Sequence, residues 1–69
     1  MNKYTYLVIG SEDGTIGVYS SRRRAIDHAI RYVGKPQGAV VLSDPAYGLW
    51  QISHPNVSHT AEVERWVMN

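Results

Sequence analysis

The run from Thr15 to Val33 constrains the fold most, because it joins a strand pattern directly to a helix pattern. Residues 15–19 are rich in β-branched and aromatic side chains, which favour a strand. Ser20 or Ser21 then provides a helix cap, since a serine hydroxyl accepts a hydrogen bond from an amide two or three residues further on. The apolar residues that follow recur at the spacing of one helical face: Ala25, Ile26, Ala29, Ile30 and Val33. The pattern predicts a strand that leads into a helix packed on a sheet.

The residues on both sides of this strand–helix unit predict where the helix ends and which elements precede the strand. Gly34 ends the helix, and Pro36 prevents its continuation. Upstream, Lys3 to Ile9 carries apolar or aromatic residues on both faces of a strand, and residues 10–14 end in an Asp-Gly turn. Gly17 interrupts the second strand, where we expect a bulge or the close approach of another side chain. We predict an antiparallel hairpin before the helix.

The second half contains two shorter strand patterns and one ambiguous segment. Ala39 to Leu42 and Leu49 to Ser53 are predicted strands, separated by a loop that contains a proline and a glycine, and Pro55 ends the later strand. In residues 58–69 the apolar side chains have helical spacing, but alternate residues also fit a strand. We predict a C-terminal helix, with a strand as the alternative.

These elements predict a two-layer α+β domain in the order ββαββα, with one helix packed on a small antiparallel sheet and a second helix at the C-terminus. Sixty-nine residues allow a single domain, residues 1–69. A chain of this size buries only about 60% of its unfolded surface. Without cysteine it has neither disulfides nor thiolate-bound zinc to stabilise it. We therefore expect a homodimer.

Three consecutive arginines occupy the first turn of the predicted helix. The N-terminus of a helix already carries about half a positive elementary charge, so cations are unfavourable there. Arg22, Arg23 and Arg24 are then either neutralised by carboxylates of the same chain or used to bind something anionic. Arg24, His28 and Arg31 share one polar flank of the helix.

The sequence contains no arrangement typical of catalysis or of cofactor binding. It has neither a Gly-x-Ser-x-Gly nucleophile elbow nor a phosphate-binding Gly-x-x-x-x-Gly-Lys loop. His54 and His59 are separated by four residues that include a proline, and no cysteine completes a metal site. We expect a protein that is not an enzyme and that binds neither a cofactor nor a metal.

The composition of the chain limits which classes of protein it can belong to. Hydrophobic residues make up 43% of the chain and charged residues 19%, which indicates a folded globule. A net charge of +1 does not indicate general binding of polyanions. No apolar run approaches the roughly 18–20 residues that span a bilayer, and the N-terminus lacks a signal-peptide pattern. We therefore expect a cytoplasmic protein without a membrane partner.

Residues 4–33 contain Tyr4-Thr5-Tyr6-Leu7-Val8, an Asp-Gly turn, Ile16-Gly17-Val18-Tyr19-Ser20-Ser21 and a helix with Ala25. This order resembles small uncharacterised strand-strand-helix proteins, many of them phage-encoded. Their helices commonly begin with mixed Lys and Glu, whereas this helix begins with three arginines. The resemblance implies no function beyond the fact that small phage proteins of this sort often act by binding a host protein. On this basis we expect a phage protein that binds a host protein and modulates or inhibits it.

The leading hypothesis is therefore docking on a protein with an acidic surface, with tyrosine as an anchor beside the arginines. The predicted partner-binding residues are Arg22, Arg23, Arg24, His28, Arg31 and Tyr19. The alternative is nucleic-acid binding by the same arginines together with sheet aromatics, which are numerous at five tyrosines and two tryptophans. A virion or assembly component is a third possibility.

Overall fold

The structure, a computed structural model, describes residues 3–34 and 36–68. This part of the chain contains five strands and one helix. In chain order they are β1 (Lys3–Gly10), β2 (Gly14–Tyr19), α1 (Arg22–Val33), β3 (Val40–Asp44), β4 (Leu49–His54) and β5 (Val57–Met68). The strands form a single antiparallel sheet in the spatial order β2-β1-β5-β4-β3. The predicted hairpin, the helix that follows it and the next two strands are confirmed.

The predicted C-terminal helix is wrong, and with it the α+β order ββαββα. Residues 57–68 form β5, the central strand of the sheet, so the order is ββαβββ and α1 is the one helix in the described part of the chain. β5 pairs with β1 on one side and with β4 on the other. Ala61 and Val63 are buried, while Glu62 and Glu64 alternate with them and face the other side. The protein is therefore mostly a five-stranded antiparallel sheet with one short helix.

α1 packs on one face of the sheet and encloses the core. At its start the Ser21 hydroxyl accepts a hydrogen bond from the Arg24 N–H at 3.4 Å. At its end Gly34, with a φ of 131°, donates its N–H to the Ile30 carbonyl. The predicted cap and the predicted stop are confirmed. Among the described residues the buried core is entirely apolar: Val8, Ala25, Ala29, Val33, Trp50, Ile52, Ala61 and Val63.

The opposite face of the sheet is not covered by α1, and we refer to it as the open face. Residues that pair directly across neighbouring strands lie on the same face of the sheet. The residues of the open face can therefore be identified by following one line of pairs from strand to strand. Leu7 pairs with Val18 and with Glu64, and Glu64 pairs in turn with Leu49. The exposed large apolar residues on this face are Val18, Val40, Leu42, Trp66 and Met68. No helix among the described residues is long and apolar enough to cross a bilayer.

Candidate functional site

The first turn of α1 is a concentration of exposed positive charge. Arg22, Arg23 and Arg24 are all exposed, and the turn contains no acidic residue. Each guanidinium lies where the helix dipole already places partial positive charge. The first turn therefore offers no carboxylate to offset the cluster; the one acidic residue of α1, Asp27, lies a turn later, four residues after Arg23.

Aromatic rings and two guanidinium groups form a continuous row beside this turn. The Arg22 guanidinium lies 5.8 Å from the centroid of the Trp50 ring, and the Trp50 and Tyr6 rings are 6.1 Å apart. The rings of Tyr6 and Tyr4 are 6.5 Å apart, and the Arg65 guanidinium lies 4.9 Å from the Tyr4 ring. Both cations are within the roughly 6 Å at which the face of an aromatic ring attracts them.

Strand pairing brings this row together. Tyr4 and Tyr6 are two residues apart on β1 and so share the helix side of the sheet. Arg65 on β5 and Tyr19 at the end of β2 both lie opposite Tyr6, so α1 begins beside the same ring. The Arg65 side chain is also held by a hydrogen bond from Nη2 to the Pro45 carbonyl at 3.2 Å.

We name this region the arginine surface, and it consists of Arg22, Arg23, Arg24, Arg65, Tyr4 and Tyr6. The carboxylates that accept side-chain hydrogen bonds in the described part of the chain are engaged elsewhere. Asp13 accepts from the Tyr32 hydroxyl, and Glu64 accepts from the Trp66 indole. The guanidinium groups of the arginine surface therefore keep hydrogen-bond donors for an external anion.

Two of the predicted binding residues bind each other. The Tyr19 hydroxyl and His28 Nδ1 are 2.8 Å apart and share a hydrogen bond, and the two rings meet edge to face at 5.6 Å. Gly17 permits this contact, because a Cβ built there would lie 2.7 Å from His28 Nδ1. The predicted close approach at Gly17 is confirmed. The Tyr19–His28 pair attaches α1 to β2.

Arg31 is exposed but is not brought to the arginine surface. It lies in the last turn of α1, nine residues after Arg22 and so about 13 Å further along the helix axis. A cation at this end is favourable, because the C-terminus of a helix carries partial negative charge.

The other two histidines bond to backbone groups. His54 Nε2 donates to the Gln37 carbonyl, and His59 Nε2 donates to the Tyr32 carbonyl, each at 2.9 Å. Within residues 3–34 and 36–68, no group of three or more His, Cys, Asp or Glu side chains is placed to hold a metal ion. Both histidine rings therefore connect loop or helix backbone to the sheet.

Sequence reasoning missed Arg65 and Trp50 as neighbours of the arginine cluster. Tyr4 and Tyr6 share a face in the predicted first strand, which is a usable signal for the aromatic half of the row. Arg65, however, belongs to the segment predicted as a helix, and no local pattern places a helical residue opposite Tyr6. The alternation of Ala61, Val63 and Arg65 was the signal that pointed to the sheet.

Comparisons of the chain with protein-family models, with curated proteins and with solved structures find no match. The inference of function therefore begins from the geometry of the arginine surface.

Proposed function

We propose that this protein is a small, non-enzymatic binding domain that docks through the arginine surface on an acidic surface of another protein. The observation that carries the proposal is the row in which Arg22 and Arg65 are already held against aromatic rings, at 5.8 and 4.9 Å. Arginine, tyrosine and tryptophan are the residue types that most often dominate the binding energy of protein interfaces.

Guanidinium groups that are held in advance lose less freedom on binding. Immobilising a flexible side chain at an interface costs about 0.5–1.5 kcal/mol. The Tyr4 ring and the Pro45 carbonyl already restrict Arg65. Its remaining N–H donors suit the two oxygens of a carboxylate, with which arginine forms paired hydrogen bonds. The surface therefore favours a partner that presents Asp or Glu side chains.

Arg23 and Arg24 contribute differently, because both are exposed at the start of α1 and neither is held against an aromatic ring as Arg22 and Arg65 are. Exposed charges at the rim of an interface mainly accelerate association with an oppositely charged partner. We extend the proposal to a host protein whose activity is modulated by docking, on the resemblance of residues 4–33 to small phage proteins.

The test compares partner binding by a variant with reversed charge on the arginine surface and by a control variant with reversed charge at the other end of α1. Tagged protein captures partners from nuclease-treated lysate, and each captured protein is quantified by mass spectrometry. The double substitution Arg23→Glu/Arg24→Glu should reduce partner recovery by at least about tenfold, because like charges then face each other. Arg31→Glu, away from the surface, should leave recovery unchanged. Equal recovery by all variants, with unchanged circular dichroism, contradicts the proposal.

Nucleic-acid binding is the second candidate, because Tyr4 and Tyr6 beside arginines can stack bases. It requires an affinity that falls with salt by a slope of nearly one unit for each phosphate contacted. A gel shift with single-stranded oligonucleotides at low salt, lost in Arg23→Glu/Arg24→Glu, would favour this alternative over a protein partner. The absence of any shift removes it.

A further inference from the structure

β3 has the sequence of an interior strand but lies at an edge of the sheet. It pairs with β4 alone, and all five of its residues are exposed. Val40, Val41 and Leu42 are consecutive, so both sides of the strand are apolar. In the described part of the chain α1 contacts the other four strands but not β3. Continuous apolar runs are typical of strands that are covered on both faces. In a single copy of the chain, β3 is covered on neither face.

The two edges of the sheet differ in their protection. At the other edge, the pairing of β2 with β1 contains a shift in register, and α1 packs against β2. Irregular pairing and a covering helix both discourage an edge from adding another strand. β3 pairs with β4 in unbroken register, contains neither proline nor lysine, and carries its one charge at its last residue, Asp44. An apolar edge without such protection is prone to pair with another strand.

We propose that β3 is the interface of a homodimer, in which the β3 strands of two copies pair antiparallel across a two-fold axis and form a ten-stranded sheet. A second copy is the occupant because every copy presents the same unprotected edge, and antiparallel pairing of two identical edges closes as a two-fold dimer. A domain of this size also gains needed burial from dimerisation. Parallel pairing is disfavoured, since it would place Asp44 opposite its counterpart. The inference is independent of the arginine surface.

The apolar residues select the register. With the two-fold axis at Val41, Val40 of one copy lies opposite Leu42 of the other, so every apolar residue of the strand meets an apolar residue. Asp44 then lies opposite Gly38, at the end of the pairing. Moving the axis to Leu42 would instead place Val40 opposite Asp44. In the preferred register the two α1 helices lie on the same side, and the open faces of both copies become continuous.

The test measures the solution mass of variants altered at opposite edges. Leu42 on β3 and Val18 on β2 are each 63% exposed and lie on the open face, so they form a matched pair. Sedimentation equilibrium uses about 100 µM chain, at which a micromolar dissociation constant leaves most chains dimeric. Wild type and Val18→Lys should show twice the monomer mass. Leu42→Lys should show the monomer mass, because the lysine would oppose Val40 of the second copy.

A cysteine substitution tests the register without relying on a destabilising change. The chain has no cysteine of its own, so Val41→Cys gives a single thiol per copy on the proposed two-fold axis. Directly paired residues on antiparallel strands are close enough for a disulfide. Mild oxidation should therefore link Val41→Cys into a covalent dimer, whereas Val18→Cys at the other edge should remain largely unlinked.

Several outcomes would overturn the proposal. They are a monomeric wild type, a dimer that Leu42→Lys and Val18→Lys leave equally intact, or a monomer that adds an extended peptide at β3. If Leu42→Lys does not fold by circular dichroism, the linkage of Val41→Cys relative to Val18→Cys decides instead. The variant Arg23→Glu/Arg24→Glu should remain dimeric, so failure of the proposed function and failure of this interface are distinguishable.

Discussion

At the scale of single residues, Tyr32 connects the end of α1 to the turn between β1 and β2. Its hydroxyl donates to the Asp13 carboxylate at 2.9 Å and accepts from the Glu12 N–H at 3.3 Å. Its ring lies against Gly10, where a built Cβ would come within 2.5 Å of it. Partial burial raises the pKa of the Tyr32 phenol, and the hydrogen bond to Asp13 raises it further.

The raised pKa of Tyr32 predicts a loss of stability at alkaline pH. The folded protein holds the phenolic proton more tightly than the unfolded chain, in which the pKa is about 10. The stabilisation is therefore complete below about pH 10 and is lost as the pH rises through the raised pKa of the folded state. Urea unfolding as a function of pH should show a smaller alkaline loss for Tyr32→Phe than for wild type. Tyr47→Phe, at a tyrosine that is 82% exposed, should follow wild type; parallel curves for all three proteins would contradict the assignment.

At the scale of elements, α1 carries arginine at both ends, and the two ends should respond oppositely to the same change. Glutamate is favoured near a helix N-terminus and disfavoured near its C-terminus, by about 0.3–1 kcal/mol for each charge. Arg23→Glu and Arg24→Glu should therefore raise the free energy of unfolding, while Arg31→Glu should lower it. Urea unfolding at low salt measures both. A loss of stability in the first two variants would mean that the arginines are stabilised within their own copy.

β5 shows why one element could not be predicted from its own residues. Both α1 and the first hairpin have local end signals, such as the Ser21 cap and the Asp-Gly turn, and both are confirmed. The apolar residues of this C-terminal segment have helical spacing, which favours the helix that we predict, although alternate residues also fit a strand. What decides between them is the gap between β1 and β4, whose unpaired edges β5 fills on both sides. That gap exists only in the assembled sheet, so no window of sequence contains it.

At the scale of the whole molecule, the core is thin and depends on a few large side chains. Ile52, 1% exposed, is the largest fully buried residue. Ile52→Ala should cost about 2–5 kcal/mol, against a total stability of roughly 3–10 kcal/mol for a chain of this size. Val18→Ala, on the open face, should change stability by less than about 0.5 kcal/mol. The two unfolding free energies, measured in urea, test the packing, and equal losses would place Ile52 outside the core.

The candidate site likewise has one part that can be predicted from neighbouring residues in the sequence and one part that exists only in the folded sheet. The arginine triplet and its helix are visible in the sequence, because three adjacent residues and one cap define them. The rings that hold Arg22 and Arg65 come from β4 and β1, two strands that are distant in the chain, and only the order β1-β5-β4 brings them together. The sequence places His28 among the contact residues only because it shares a polar flank of the helix with Arg24 and Arg31. Gly17 predicts the close approach of some side chain, but the sequence does not identify that side chain as His28.

β5 follows the other four strands in the described part of the chain, yet it is the middle strand of the sheet. During translation, β1, β2 and α1 emerge first and β3 with β4 next, but neither group shares a hydrogen-bonded neighbour with the other until residues 57–68 follow. Until then, one edge of β1 and one edge of β4 have backbone groups without hydrogen-bond partners in the sheet, and such edges are prone to aggregation. The five-stranded sheet therefore cannot close until residues 57–68 pair with both hairpins, however early the other four strands form.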